Sequence, residues 1–287
     1  MDHLNYKLIV AKNFSRCAKA YDQSAALQQA VGLSLIERLN LMSIAPQTIL
    51  DLGSGTSYLS KILKAHYPAA NIINLDIAEE MLSFSQTKNT SSQDFFVCGD
   101  AEKIPFQANS FDLIISNFVF HWFLEPQNVL EQINRVLKPG GLFLFSTVGP
   151  DTLKELKAAC TTIDNAPHVN HFLDMHDIGD LLSATNFQNP VMNMEMLTLT
   201  YSSLTNLHRD LKLTGSHTVL SETLQGLSPK HFRKKLASAY EVYRDDEKQL
   251  PASFEIIYGH AFGSPQKRLH RADKSGMVRI PVEDLLG

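Results

Sequence analysis

Residues Ile49-Leu50-Asp51-Leu52-Gly53-Ser54-Gly55-Thr56-Ser57-Tyr58 carry a short apolar run straight into a turn built around two glycines. Such a turn needs positive φ and a close approach of backbone to its neighbours, and both exclude a Cβ. A strand ending this way and running into a helix opens a parallel α/β sheet. The pattern continues to residue 148. Strands are expected near Thr48–Gly53, Asn71–Ile77, Asp94–Asp100, Phe111–Asn117 and Leu142–Val148, with helices over Ser57–Tyr67, Ala78–Lys88 and Pro126–Leu137. The last begins with proline in its first turn and stops before Pro139-Gly140-Gly141, which fits the asymmetry of helix ends. Alternation of this kind predicts an α/β fold with a doubly wound, mostly parallel sheet covered on both faces.

In such sheets the ligand sits beyond the carboxyl ends of the strands. Gly53, Gly55, Asp76, Asp100, Ala101 and Asn117 should therefore meet in one crevice, with Asp51 just behind the glycine turn. Asp76 ends the second strand, where a carboxylate can accept both hydroxyls of a ribose. The turn reads D-x-G-x-G-x-S, not the G-x-G-x-x-G of a dinucleotide site, which suggests a nucleoside bearing methionine, S-adenosylmethionine. Asp51 would orient the methionine end through the turn, and Asp100-Ala101 would meet the adenine. For Asp100 a plain helix-capping role weighs equally.

The flanks read differently. Ala25–Met42 places Leu27, Val31, Leu35, Ile36 and Leu39 on one helical stripe, and with Phe14–Asp22 before it forms an N-terminal helical cap over the crevice. Beyond Val148 helices are expected at Thr152–Ile163, His176–Ala184, Ser203–Leu213 and Pro229–Tyr243, with strands at Val191–Tyr201 and Ser253–Ala261. The expected organisation is a cap over 1–45, a cofactor-binding core over 46–150, a C-terminal helical lid with the final strands over 151–262, and a tail over 263–287. The tail is locally basic at Lys267, Arg268, Arg271 and Lys274. A net charge of -4 gives no global attraction to nucleic acid or an anionic membrane, so neither is expected as a partner. Three scattered cysteines and the lack of a leader-like start point to the cytoplasm.

The central run Asp51–Ser57, Asp76, Gly99–Phe106, Phe111–Ile114 and Leu137–Gly141 resembles the successive motifs of class I S-adenosylmethionine-dependent methyltransferases, which implies their Rossmann-like fold and their cofactor. Phe14–Asp22 with Gln28, Asn117–Trp122, Asp174–Leu182, Leu197–Tyr201 and Leu211–Ser216 resemble the malonyl-acyl-carrier-protein O-methyltransferases of biotin synthesis. That resemblance implies methylation of the free malonyl carboxylate, on an acyl carrier protein or on coenzyme A. It also implies that Tyr21 closes over cofactor and substrate. An ionised carboxylate needs no general base, but it must be desolvated and held. Lys212 is the first candidate for that task, within the family-like segment, followed by Arg209, His168 and Lys154. Trp122 and its aromatic neighbours Phe118, Phe120, His121 and Phe123 would line the acceptor pocket or end a buried strand. Pro229–Lys235 is the densest basic cluster for docking an acidic carrier.

His168, His171, Asp174 and His176 lie close in sequence but match no standard metal spacing, so no metal is expected. Ser57 replaces the family's usual third glycine. Its Cβ and hydroxyl either weaken the close approach of the cofactor or, if it enters the following helix with ordinary φ, cap that helix or bond the ligand. The methyltransferase-like assembly factors of respiratory complex I, associated with arginine hydroxylation, share several flanking motifs and form the alternative. A cofactor-binding protein without methyl transfer is the third reading.

Overall fold

In the computed structural model, which describes residues 3–88, 94–215 and 229–265, seven strands form one sheet with helices on both faces. Three helices come first: α1 (His3–Cys17), α2 (Tyr21–Ser24) and α3 (Ala26–Leu39). The alternating region follows as β1 (Thr48–Leu52), α4 (Tyr58–His66), β2 (Asn71–Asp76), α5 (Glu79–Lys88), β3 (Asp94–Cys98), β4 (Phe111–Asn117), α6 (Pro126–Val136) and β5 (Leu137–Val148). The remainder comprises α7 (Lys154–Thr161), α8 (Met175–Ala184), β6 (Gln188–Tyr201), α9 (Leu204–Leu213), α10 (Pro229–Tyr240) and β7 (Leu250–Phe262).

The strand order is β3-β2-β1-β4-β5-β7-β6. β1 to β5 run parallel, and β7 lies antiparallel between β5 and β6. The order reverses between β1 and β4, which puts a crevice at their carboxyl ends. The central strands are buried on both faces, as expected of a covered sheet: Ile49, Leu50, Leu113, Ile114 and Ile115 have no exposed surface.

The stripe of α3 behaves as its spacing predicts, since Leu27, Val31, Leu35, Ile36 and Leu39 are all buried against the sheet. Each such side chain contributes about 1.5–3 kcal/mol of burial. Local chemistry fixes several helix ends: Pro126 opens α6, while Asp174 and Ser203 cap α8 and α9 through the backbone N–H groups of His176 and Asn206.

Two elements differ from the sequence expectation. β5 begins at Leu137, directly after α6, instead of at Leu142. Leu137 pairs with Phe111, and a register shift before the Leu113–Leu142 pair absorbs Pro139-Gly140-Gly141 as an irregularity inside the strand. The second is α1, a helix from His3 that the sequence reading recognised only from Phe14 onward. It buries Tyr6, Val10 and Cys17 at helical spacing. The basic tail beyond residue 265, and Ser216 of the family-like Leu211–Ser216 segment, lie outside the described residues.

Candidate active site

The glycine turn after β1 is held by β2. The N–H groups of Gly53 and Ser54 donate to the carbonyl of Leu75 at 2.7 and 3.1 Å. The Asp76 carboxylate then closes the turn: Oδ2 accepts the Gly55 N–H and Oδ1 the Ala78 N–H, each at 2.8 Å. Gly53 and Gly55 have φ of +71° and +53°. Gly53 allows no substitute, because a Cβ there would lie 2.2 Å from Val119 Cγ2.

This turn forms one wall of a crevice of about 830 Å³. Gly53, Gly55, Asp76, Asp100, Ala101, Asn117, Tyr21 and Trp122 all line it, from four strand ends and the cap. The cap also contributes Phe14, and with it Tyr6, Lys7 and Val10 from the part of α1 that the sequence reading missed. Their i, i+4, i+8 spacing along Tyr6, Val10 and Phe14 was the available signal. Asp51 stands behind the turn, lining a smaller adjoining hollow with Tyr21, Asp22, Gln28 and Asn117.

Asn117 joins cap to sheet. Its Nδ2 donates to the Gln28 carbonyl at 2.9 Å, and its Oδ1 accepts from Ser146 Oγ at 2.7 Å. Asp22, at the end of the expected cap segment, ties α2 down by accepting from Thr56 Oγ1 and pairing with Lys88 at 2.8 Å. Asp100 caps the 3-10 turn Ala101–Lys103 by accepting the Glu102 N–H at 2.9 Å, and its other oxygen binds Lys7 at 2.7 Å. Capping and crevice lining thus coexist in one residue.

The electrostatics favour a cation. Burial raises the pKa of Asp76, opposed by its backbone N–H donors. Burial, with the charge of Asp76 adding to it, pushes Asp51 up to about 7. Hydrogen-bond geometry agrees for Asp51. Ser60 Oγ lies 2.8 Å from both Asp51 Oδ2 and Asn74 Oδ1, while Asn74 Nδ2 is committed to the Phe95 carbonyl at 3.2 Å. A hydroxyl has one proton for these two acceptors, so a proton on Asp51 completes the chain. Burial also raises the Tyr21 phenol, as do the charges of Asp76 and Asp22. The lysine in the crevice, Lys7, is held between Asp100 and Glu102, at 2.7 and 2.5 Å. Burial opposes its charge, but those carboxylates raise its pKa overall.

Ser57 departs from the expected conformation. It has φ +58°, in the left-handed region, and does not cap α4. The position is a glycine position occupied by serine, because the turn must reverse into the helix there. Ser57 Oγ, Ser54 Oγ and Tyr6 Oη are buried without a hydrogen-bond partner in the protein. Of these, Tyr6 lines the crevice and Ser54 the adjoining hollow, and unpaired polar atoms there beside buried Asp76 fit a polar, cationic nucleoside such as S-adenosylmethionine.

Phe118 and Trp122 separate this crevice from a second chamber of about 740 Å³ and line both. Phe118 takes φ +58° at the end of β4, and Trp122 meets Phe14 edge-on at 5.5 Å. The second chamber is lined further by Gln28, His121, Thr152, Asn170, Phe172, Tyr201, Asp210, Leu211 and Thr214. Burial pushes His121 down to about 3, so it is neutral, and its Nδ1 lies 3.3 Å from Thr147 Oγ1. Phe120 stacks within the core at 5.5 Å from Phe145, so the aromatic run serves pocket and core at once.

Four expected substrate residues stand apart from both linings. Lys212 and Arg209 are exposed on α9. His168 Nε2 pairs with Asp164 at 2.8 Å, and its ring stacks on Phe232 at 4.5 Å. Lys154 begins α7 and is exposed. Asp174 bonds His176, and no group of three or more His, Cys, Asp or Glu suited to a metal occurs among the described residues. Nor does any described helix have the length and apolar character to cross a membrane.

Comparison with known proteins agrees with this geometry. Residues 50–145 match the family model of a methyltransferase domain. A malonyl-(acyl-carrier protein) O-methyltransferase from Gallionella capsiferriformans is 43% identical over 272 residues, covering 92% of this chain and 93% of the relative. Its namesake from Methylovorus sp. is 41% identical over 281 residues, covering 96% and 94%. Among solved structures, the YcgJ protein of Bacillus subtilis superposes with a TM-score of 0.58 at 17% identity, covering 81% of this chain and 98% of that one, a likeness of fold. The chain belongs to the malonyl-acyl-carrier-protein O-methyltransferase family, on the class I methyltransferase fold.

Proposed function

We propose that this protein transfers a methyl group from S-adenosylmethionine to the free carboxylate of a malonyl group carried by an acyl carrier protein, producing the methyl ester used in biotin synthesis. The observation that carries the reading is the second chamber, which shares Phe118 and Trp122 with the cofactor crevice and, among the described residues, has no lysine or arginine in its lining.

In this reading Gly53, Gly55 and Asp76 cradle the ribose and methionine, Asp100 and Ala101 meet the adenine edge, and Asn117 and Asp51 border the methionine end. Tyr21 and Trp122 roof the junction between the chambers. When bound, S-adenosylmethionine supplies an electrophilic methyl carbon: a carboxylate oxygen forms the new O–C bond as the C–S bond breaks and sulfur keeps its electron pair. No proton moves, so no general base is required of the protein.

The residues have two tasks, alignment and removal of water. Phe118, Trp122 and Phe172 exclude solvent from the carboxylate. Neutral His121 donates a hydrogen bond to it and gives orientation without the strong attraction of a full cation. A desolvated carboxylate held by weak donors is a better nucleophile than one locked in an ion pair.

The test follows the carrier's mass after incubation with S-adenosylmethionine and malonyl-loaded carrier, with acetyl-loaded carrier and malonyl-coenzyme A in parallel. A gain of one methyl on the malonyl thioester and none on the acetyl control is the expected result. No gain on either malonyl thioester, with cofactor binding intact by calorimetry, overturns the reading.

A further inference from the structure

Positive charge is distributed very unevenly over this acidic chain. α1, α9 and α10 together contain nine of its 26 lysines and arginines but one of its 30 acidic residues. That one, Asp210, lines the second chamber and is bonded to Tyr201. Apart from Lys7, which is turned inward, the described basic side chains of these helices are exposed: Lys12 and Arg16 on α1, Arg209 and Lys212 on α9, and Arg233 and its two following lysines on α10.

The fold brings the three helices together. Cys17, ending α1, donates to the Lys212 carbonyl at 3.1 Å, and Phe14 fills the space beside Gly215 just past α9. Arg16 and Lys212 both act electrostatically on Cys17, whose pKa burial nevertheless raises. Arg233 of α10 lies near enough to α9 to add to the burial that lowers the pKa of His208. Basic residues of α1 and α10 thus both lie near α9, which also covers the second chamber. Asp210 and Leu211 face that chamber while Arg209 and Lys212 face solvent.

We propose that the basic residues of α1, α9 and α10 form the docking surface for the acidic face of the carrier protein. The proposal rests on the acceptor reading above and assigns Lys212 and Arg209 to the carrier's surface, outside the chamber. Complementary charge of this kind speeds encounter and fixes orientation, and it weakens with salt. A carrier seated there delivers its thioester arm beside the helix that covers the acceptor chamber.

The experiment pairs two charge-reversal variants, Lys12→Glu with Arg16→Glu and Arg233→Glu with Lys234→Glu, with two substrates, the malonyl carrier and the small neutral-armed malonyl-pantetheine. Each variant should raise KM for the carrier about tenfold at low salt, with kcat unchanged and the pantetheine thioester turned over as by wild type. A KM for the carrier within about twofold of wild type overturns the proposal, as does an equal loss on both substrates. Lys212→Glu separates docking from a role in the chamber, because docking leaves pantetheine turnover untouched.

Binding of fluorescently labelled carrier, followed by anisotropy, reads docking without turnover. Salt-sensitive binding weakened in both variants supports the surface even if the malonyl carrier is not methylated. Absent or salt-insensitive binding by wild type overturns it. Circular dichroism melts establish that the variants are folded.

Discussion

Val119 occupies the space that a Cβ on Gly53 would need, with its Cγ2 2.2 Å from that point. The valine follows Phe118 at the end of β4, so two strand ends interlock at the cofactor turn. Gly53→Ala meets both this overlap and a φ of +71°. Overpacking and strain of this kind cost about 1–3 kcal/mol each. The expected outcome is loss of S-adenosylhomocysteine binding by calorimetry, together with a lower urea midpoint.

Ser57→Gly should stabilise the protein. A non-glycine residue at φ +58° carries about 1–2 kcal/mol of strain. Glycine gives back about 0.4–1 kcal/mol through the freer unfolded chain. The net expectation is a gain of about 0.5–1 kcal/mol, measured by urea unfolding. An unchanged or lower midpoint would show that the serine is not strained.

Asp51 should make stability depend on pH. Its folded pKa, pushed up to about 7 by burial, lies above the ordinary carboxylate value of 3.8, so the native state keeps a proton that the unfolded state releases. The contribution is full below about pH 4 and is lost as pH rises through about 7. Asp51→Asn removes this slope. Relative to wild type, the variant gains stability as pH rises through that window and then levels off. Urea midpoints at about pH 5, 6, 7 and 8 check it, and parallel profiles would refute the burial of a protonated carboxyl.

Lys7→Met should destabilise the cap. Glu102 is 7% exposed and Asp100 34%, so one carboxylate loses its lysine in the interior, keeping only His3 at 3.4 Å, and the other loses it near solvent. Removing one member of a buried pair costs about 3–5 kcal/mol, and the exposure of Asp100 brings the expectation to about 2 kcal/mol. Increased proteolysis of the first helix, measured against a wild-type control, would accompany the loss.

The interior strands and the glycine turn were legible because their signals are local. A strand buried on both faces needs a continuous apolar run, a turn at positive φ with a neighbour as close as Val119 needs glycine at Gly53, and an acid ending the neighbouring strand is displaced from the turn by one crossover. Asp76 and Gly55 meet at 2.8 Å for that reason. The stripe of α3 was equally plain, since one face of one helix carries it.

What the sequence by itself determined is therefore the sheet, its crevice and the residues at its strand ends. Tertiary structure decided the rest. Lys212 and Leu211 are adjacent in the chain, yet only the docking of α9 against α1 and the sheet turns the leucine into the chamber and leaves the lysine in solvent. The left-handed backbone of Ser57 follows from the space between turn and α4, which no propensity encodes. The second chamber combines His121, Asn170, Tyr201 and Thr214 from four distant segments. Such a site has no sequence period, because its members share only the volume they enclose.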